Sequence, residues 1–558
     1  MNTDMLVDFL IVNARILTMD VGRPRAEAVY ISGGKIAAIG SRAEVAAKAN
    51  PNARVIDAGG RTLLPGFVES HLHLVLGGAE LQHLQLGGVH GSETLRAAFA
   101  AYGLANPGKP LLMAQGAAYD LLGHSMTRFD LDAVMADRPI ALTAPDHHTV
   151  WANTMALTQA GLLHGATLPA GHEVVMGPDG TATGELREFE AFSAVVALGG
   201  ELRLNLGIAT GEEPDPWPTE AERAVDKAKI AAGLAHCAAH GITSMVNMDG
   251  NRYTLQLLRE MQVEGRLTAR IKVPFHFKPH MGLAELDRAT AMTAEYNDDW
   301  LTCGFVKMFM DGVVDSRTAY MLNDYPGQPG HRSVPLFDLE SFKTICCEID
   351  RRGLQIAVHA IGDGAVRQTI DGYAAAHAQN PRDARHRIEH IELIDRADIP
   401  RLAALGITAS VQPPHAPGAM DFPLGAMEMV IPKDRWRDAY LSAGLVDQGA
   451  AVAFASDWPV TDVSVLRGIQ AALTRVPFDG AKDQRLDLMA TLHAYTASGA
   501  WAAHQDHLTG RIMPGLAGDL VLLGGDIEGV AVAHIGDMGI ALTICGGMIT
   551  YQGAEFDA

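Results

Sequence analysis

Cysteine is scarce. Five stand in 558 residues, at Cys237, Cys303, Cys346, Cys347 and Cys545, an odd number with no C-x-x-C pair. That excludes a disulfide scaffold and points to a reducing compartment with buried thiols. Basic residues are short as well. Lys+Arg number 44 against 65 Asp+Glu, a formal charge of −21. A surface so acidic argues against nucleic acid or an anionic membrane as partner. No uninterrupted apolar run approaches a membrane span, and the start, MNTDMLVDFLIVNARILTMD, has an early Asp and no basic leader or cleavage site. A cytoplasmic location is the expectation. G-x-S-x-G is missing, which disfavours a serine hydrolase, and GDGAVRQ lacks the third spaced glycine of a dinucleotide fingerprint.

What is present is an ordinary globular composition, 48% hydrophobic and 20% charged, long enough for a large core. The first sixty residues alternate apolar and polar positions around Gly and Asn turns, and GDLVLLGGD and IALTICGGMITYQG near the C-terminus repeat that style. Chain termini are commonly close in space. Residues 1–64 and 508–558 are therefore expected to form one small composite β-sandwich. The middle, 65–507, alternates short apolar runs with amphipathic helical stretches. Such alternation implies parallel strands with helices outside, and eight units close a (β/α)8 TIM-like barrel of α/β class. A stretch of about 170 residues separates the first two barrel strands, too long for a connection. Its bulk, about 80–225, reads as an inserted lid subdomain over the barrel mouth.

In GFVESHLHL the first barrel strand ends in His71 and His73. Alternate strand residues share a face, so both imidazoles can aim at one point. Active sites of barrels sit at the C-terminal ends of the strands. The later strands offer Lys307 in GFVKMFMDG, His359 in IAVHAIGD, His390 in HRIEHIEL and Asp457 in AFASDWPV. Imidazoles with a carboxylate suit zinc or a similar divalent ion. Lys307 needs its own account, because an ammonium has no lone pair. Burial beside cations lowers its pKa and frees the amine. A free amine adds carbon dioxide to give a carbamate (N6-carboxylated lysine), whose two oxygens suffice to bridge two metals. The other reading is a structural ion pair.

These segments, with VKMFMDGVVDSRTA, VHAIGDGAV and YTASGAWAAHQDHLTGRIMPGLAGDLVLL, resemble the metal-dependent amidohydrolase superfamily. The likeness is to its YtcJ-like (amidohydrolase 3) branch, which includes N-substituted formamide deformylases, and it spans nearly the whole chain. The resemblance implies a distorted barrel with a split β-sandwich, one or two divalent metals per chain and a homodimer. It carries metal ligation to His71, His73, Lys307, His359, His390 and Asp457. HTVWANTMAL and TGELRE resemble segments of that branch too, which implies Trp151, Asn153 and Glu188 as pocket residues. Val313, Val314 and Asp315 depart from the smaller sequence frequent there, and Gly364 stands where a basic residue is frequent. Asp311 and Arg317 either fix the substrate or pair within the loop after the fourth strand. His415 is a pocket residue or a structural one. His147 and His148 are expected on the inserted subdomain, and His236 and His240 on a helix without a catalytic role.

The chemistry that follows is hydrolysis. A divalent ion lowers the pKa of bound water toward about 7 and polarises a carbonyl. Asp457 would accept the proton of that water and return it to the leaving nitrogen. Met, Trp and Leu in the pocket-side segments favour a small linear amide or formamide with an apolar substituent. The same site could serve a cyclic amide, carbamate, ester or lactone. A metal-dependent isomerase or lyase, or a non-catalytic binding protein, is the reading from other classes. The latter would be expected to lose ligands, and none is lost.

Overall fold

The computed structural model describes residues 7–145, 147–168, 172–200, 202–420, 422, 424, 431–554 and 556. The outermost ends of the expected sandwich, 1–6 and 557–558, lie outside them. Two compact units emerge, one of Met1–Leu74 with Leu234–Ala558 and one of Val75–Gly233. The insertion is thus somewhat longer at both ends than 80–225.

The first unit carries the barrel strands β1 (Phe67–Leu72), β2 (Ile242–Asn247), β3 (Arg270–Lys272, resumed at Phe275–His276), β4 (Phe305–Phe309), β5 (Gln355–Ala360), β6 (Arg387–His390), β7 (Thr408–Val411) and β8 (Ala451–Phe454). All eight expected strands are there, pairing in parallel with their sequence neighbours. Nearly every residue in them is buried, as in a parallel sheet covered on both faces. Helices such as Arg252–Val263, Leu339–Arg351 and Asp363–Gln379 separate them.

The ladder does not run round as one closed barrel. It forms two arcs, one containing β1, β2 and Arg270–Lys272 and the other running from Phe275–His276 through β8. The break in β3 falls at Val273-Pro274, where proline has no N–H to donate. The other seam, between β8 and β1, is bridged at the mouth instead. Asp457 N–H donates to His71 O at 2.9 Å and His73 N–H to Trp458 O at 2.7 Å. Ser456 N–H donates to buried Glu69 Oε1 at 2.6 Å. These bonds set the loop after β8 against the end of β1, which positions the site.

In the same unit Leu520–Leu523 pairs antiparallel with Thr62–Pro65, so N- and C-terminal strands share one six-stranded sheet. A second sheet holds Phe9–Val12, Ala28–Ser32, Lys35–Gly40 and Arg54–Asp57. Phe9, Ile11 and Val29 from it pack with Leu63, Leu520 and Leu542 in one core.

The second unit is built on its own six-stranded sheet. The alternation in Leu112–Gln115 and Ile140–Thr143 sorts side chains to its two faces. Leu112, Ala114 and Leu142 join one apolar core and Met113 and Ala141 the other. Among the described residues no helix is long and apolar enough to cross a membrane.

Candidate metal centre

Glu69, His71 and His73 alternate along β1 and just past it, so their side chains share a face. The Nδ1 of His71 lies 2.8 Å from Glu389 Oε2. Burial alone would push the Glu389 carboxyl up, but Arg387, His71 and Lys307 outweigh it and hold it well below the usual carboxylate range. Glu389 is therefore ionised and only accepts, so His71 donates to it from Nδ1 and Nε2 is the nitrogen turned toward the centre. That Nε2 lies 3.2 Å from Asp457 Oδ1.

His390 repeats the arrangement. Its Nδ1 donates to Gln412 Oε1 at 2.9 Å, and its ring centre lies 4.9 Å from that of His71. Burial and neighbouring His359 push its pKa well below the ordinary value, so it is neutral. Asp457 is the third member. Burial opposes its charge, but His71 and His73 overcome this and hold it well below the usual range. His73 Nε2 is also 3.2 Å from Asp457 Oδ1. His71, His390 and Asp457, all buried, each bring one ligand atom to within 4.8 Å of the others.

The donor chemistry fits a divalent cation. Asp457 Oδ1 is buried without a hydrogen-bond partner among the described residues. A carboxylate oxygen facing an imidazole lone pair at 3.2 Å is repulsive unless a positive ion stands among them. Nitrogen and oxygen donors of this set suit zinc or a similar ion. Residues in left-handed backbone conformation gather here, with φ of +77° at His390, +48° at Ile391 and +61° at Asp457. A β-branched residue such as Ile391 adopts that conformation only when its surroundings force it.

His359 and Lys307 stand beside this set rather than in it. The ring of His359 is 4.6 Å from that of His390, but its Nε2 lies 3.1 Å from Gly312 O and 3.8 Å from Asp311 Oδ1. Lys307 sits in the middle of β4, not at its end as the sequence suggests, and is 1% exposed. Burial pushes its ammonium down to about 8, with Glu389 and Asp457 opposing. An appreciable neutral fraction of the amine therefore exists near neutral pH.

The remaining expected residues divide. Asp311 accepts three backbone N–H groups, from Tyr320 at 2.9 Å, Ile361 at 3.1 Å and Gly362 at 2.9 Å. It pins the segment after β4 to the end of β5 and does not pair with Arg317, which makes no ion pair among the described residues. His415 lines the site, with Nε2 3.8 Å from Asp457 Oδ2 and its ring stacked on that of His390 at 6.0 Å. In the second unit Trp151 is 2% exposed in an apolar core, edge-on to Tyr119, and Asn153 caps the helix Thr154–Gln159. Glu188 accepts a hydrogen bond from His148 Nδ1 at 2.8 Å, and His147 meets Glu80 at 3.0 Å. His236, near the end of the helix Glu220–Ala239, meets His240 just beyond it edge-on and lies against Trp458. At Gly364 a Cβ would come within 2.9 Å of Tyr320 O, so a side chain there would require the Tyr320 backbone to shift.

Sequence reasoning overlooked Glu389, Gln412 and Glu69. In RIEH, alternation assigns Glu389 and His390 to opposite faces. The left-handed turn at His390 and Ile391 cancels that rule and brings both into the site. A scan of every polar residue at the strand ends would have found Gln412. Met308 and Met310 are fully buried in the core. A cleft of about 290 Å³, counted to its open mouth, runs from His390 and His415 past Glu392, Tyr440 and Ser442 to Arg475. Polar and apolar side chains share its wall.

Residues 54–551 match the family model described as Amidohydrolase family. The chain is 26% identical to the putative amidohydrolase YtcJ of Bacillus subtilis, over 96% of this chain and 98% of that one. It is 24% identical to the N-substituted formamide deformylase of Arthrobacter pascens, over 98% of each. In fold it is similar to a crystal structure of a metal-dependent hydrolase from Pyrococcus horikoshii, with a TM-score of 0.75 at 23% identity, covering 94% of this chain and 99% of that one.

Proposed function

The chain belongs to the amidohydrolase family, and on that premise we propose that it is a metal-dependent hydrolase of a carbon–nitrogen bond in a small linear amide or formamide. One observation carries the reading. The Nε2 of His71 and the Oδ1 of Asp457, which has no hydrogen-bond partner among the described residues, are buried 3.2 Å apart, with His390 alongside. One cation held by His71, His390 and Asp457, with His73 beside them, satisfies all of these atoms. A divalent cation so placed acidifies water and polarises a carbonyl.

The chain's own residues supply the rest. Asp457 is ionised at neutral pH, so it can take a proton from the attacking water and deliver it to the leaving nitrogen. An amine leaves poorly without that proton, so the shuttle matters most for amides. Glu389 and Gln412 keep the protons of His71 and His390 on Nδ1 and turn each Nε2 toward the centre. Lys307 has the partly neutral amine that carboxylation requires. We read it as the N6-carboxylated residue, which ¹³C spectra of protein equilibrated with labelled bicarbonate will report.

The test is steady-state turnover by the zinc-loaded chain on matched linear amides, cyclic amides, carbamates and esters, with labelled water as the oxygen source. Amide cleavage with label in the acid supports the reading. Faster cleavage of esters or cyclic amides moves the substrate class. Turnover without label makes the protein an isomerase or lyase, and no turnover at all refutes the assignment. Metal content counts the ions: two per chain accord with a bridging carbamate on Lys307, and one leaves Lys307 outside the centre. The homodimer, on this reading, gives twice the chain mass in sedimentation; a single-chain mass refutes it. The chemistry calls for a small-molecule substrate and for neither nucleic acid nor membrane.

A further inference from the structure

Arg475 is an oddity beside the centre. It closes the helix Val465–Thr474 and is only 4% exposed. Its Nη1 donates to Tyr440 O at 2.7 Å, yet its Nε is buried with no hydrogen-bond partner among the described residues. It forms no ion pair there either. Burial pushes its pKa down to about 10, with Tyr440 and Asp483 opposing, so it remains a cation at neutral pH. The carbonyl end of the helix and Tyr440 O make the charge tolerable. Neither supplies the acceptor that its free N–H needs, and a buried donor without an acceptor is rare in a folded protein.

Arg475 lines the cleft that starts at His390 and His415. The hydroxyl-bearing Ser442 lines the same cleft. Its one acid, Glu392, is already engaged. Glu392 takes a hydrogen bond from the Tyr440 hydroxyl and lies 3.8 Å from His415 Nδ1. We propose that Arg475 is the specificity-determining residue for a carboxylate on the substrate, so that the amide cleaved at the metal centre is the acylated nitrogen of an amino-acid-like molecule. Guanidinium is the side chain whose planar donors match a carboxylate. A monoanion fits better than a phosphate dianion, which Glu392 would repel twice as strongly while a single guanidinium held it.

The inference rests on the amide hydrolysis proposed above and deepens it. The experiment uses the metal-loaded full chain on matched pairs. N-formyl and N-acetyl amino acids are set against N-alkyl formamides and acetamides that lack only the carboxylate. Wild type should favour the acids by about tenfold or more in kcat/KM, mainly through KM. In Arg475→Met that preference should collapse by about a hundredfold, the scale of one lost hydrogen bond to a charged group. Arg475→Lys keeps a charge but not the planar fork and should lose about tenfold, which serves if the methionine variant fails to fold. Glu392→Gln should raise the preference. Equal or faster turnover of the neutral partners by wild type, or a preference that survives in a folded, metal-loaded Arg475→Met, overturns the inference while leaving the amidohydrolase reading intact. If no amide of either kind is cleaved, the proposed activity fails. Calorimetry of N-acetylglycine against N-methylacetamide on wild type and Arg475→Lys then still decides the cleft. Direct binding of carboxylate to metal is common to both proteins, so their difference isolates Arg475.

Discussion

Glu389→Gln tests the logic of the centre most sharply, because the change keeps shape and alters only charge and protons. In the native chain Glu389 accepts from Arg387 Nε at 2.8 Å and Nη2 at 3.1 Å, and from His71 Nδ1 at 2.8 Å. Glutamine has one acceptor oxygen. If that oxygen stays on Arg387, the amide NH₂ faces His71 Nδ1. His71 must then move its proton to Nε2, or bury two N–H groups against each other. Moving the proton blocks the lone pair that faces Asp457. Keeping it costs about 1–3 kcal/mol for an unmet buried donor. Either way metal affinity should fall about 10–100-fold, the range for losing a partner behind a ligand histidine. Stability changes separately. Arg387 is fully buried and loses its counter-charge, keeping Ser70 O, Ser410 Oγ and the neutral amide oxygen. Breaking such a pair costs about 3–5 kcal/mol, which should appear as a clear drop in the Tm of the metal-free protein. Competition with a zinc chelator gives the affinity and calorimetric melting the stability. A variant that loses stability but binds zinc within about threefold of wild type would refute the account of the His71 proton.

Three further outcomes follow from the same geometry. Asp457→Asn should stay folded and keep most of its metal while losing turnover by about 10³-fold or more, since proton transfer alone contributes about 10²–10⁴-fold; wild-type-like rates would remove Asp457 from the mechanism. Lys307 has its folded value at about 8, below the ordinary 10.5. Between those values the folded chain therefore binds fewer protons than the unfolded one, and the metal-free protein should gain stability as pH rises from 8 to 10. Denaturant midpoints of wild type against Lys307→Met will show this, and parallel pH curves would contradict it. Recovery of metal-stripped protein with zinc and bicarbonate should also quicken from pH 6.5 to 8 and then level off; a rate independent of bicarbonate would count against carboxylation. Asp311→Asn should destabilise the chain by about 2–4 kcal/mol, because an amide oxygen cannot serve three backbone donors; an unchanged Tm would show that the anchor is dispensable.

Much of this protein is legible without coordinates. The short apolar runs of strands such as ITASV, the helical stretches between them and the two strand-rich ends are local patterns, set by neighbours in the chain. They identify eight barrel strands and place histidine, lysine and aspartate along them. The Pro274 break in β3 could also have been read, since a residue without an N–H cannot continue a ladder. Donor identity is local as well, which is why His71, His73, His390 and Asp457 stand out from a single reading.

What the sequence could not decide is where protons and charges go. That depends on partners far along the chain, as with His71 and Glu389, which are 318 residues apart. Burial of Lys307 and the isolation of Arg475 at the cleft are likewise products of packing, because desolvation and unmet donors exist only once distant segments close over them. Even the choice of ligands within the set was tertiary. The left-handed turn at His390 and Ile391 brought Glu389 inward, and Gly312 O took the Nε2 of His359. Sequence by itself determined which chemical groups were available and on which strands; only the folded chain determined which of them face one another without a proton between them, because electrostatics acts through space and not along the backbone.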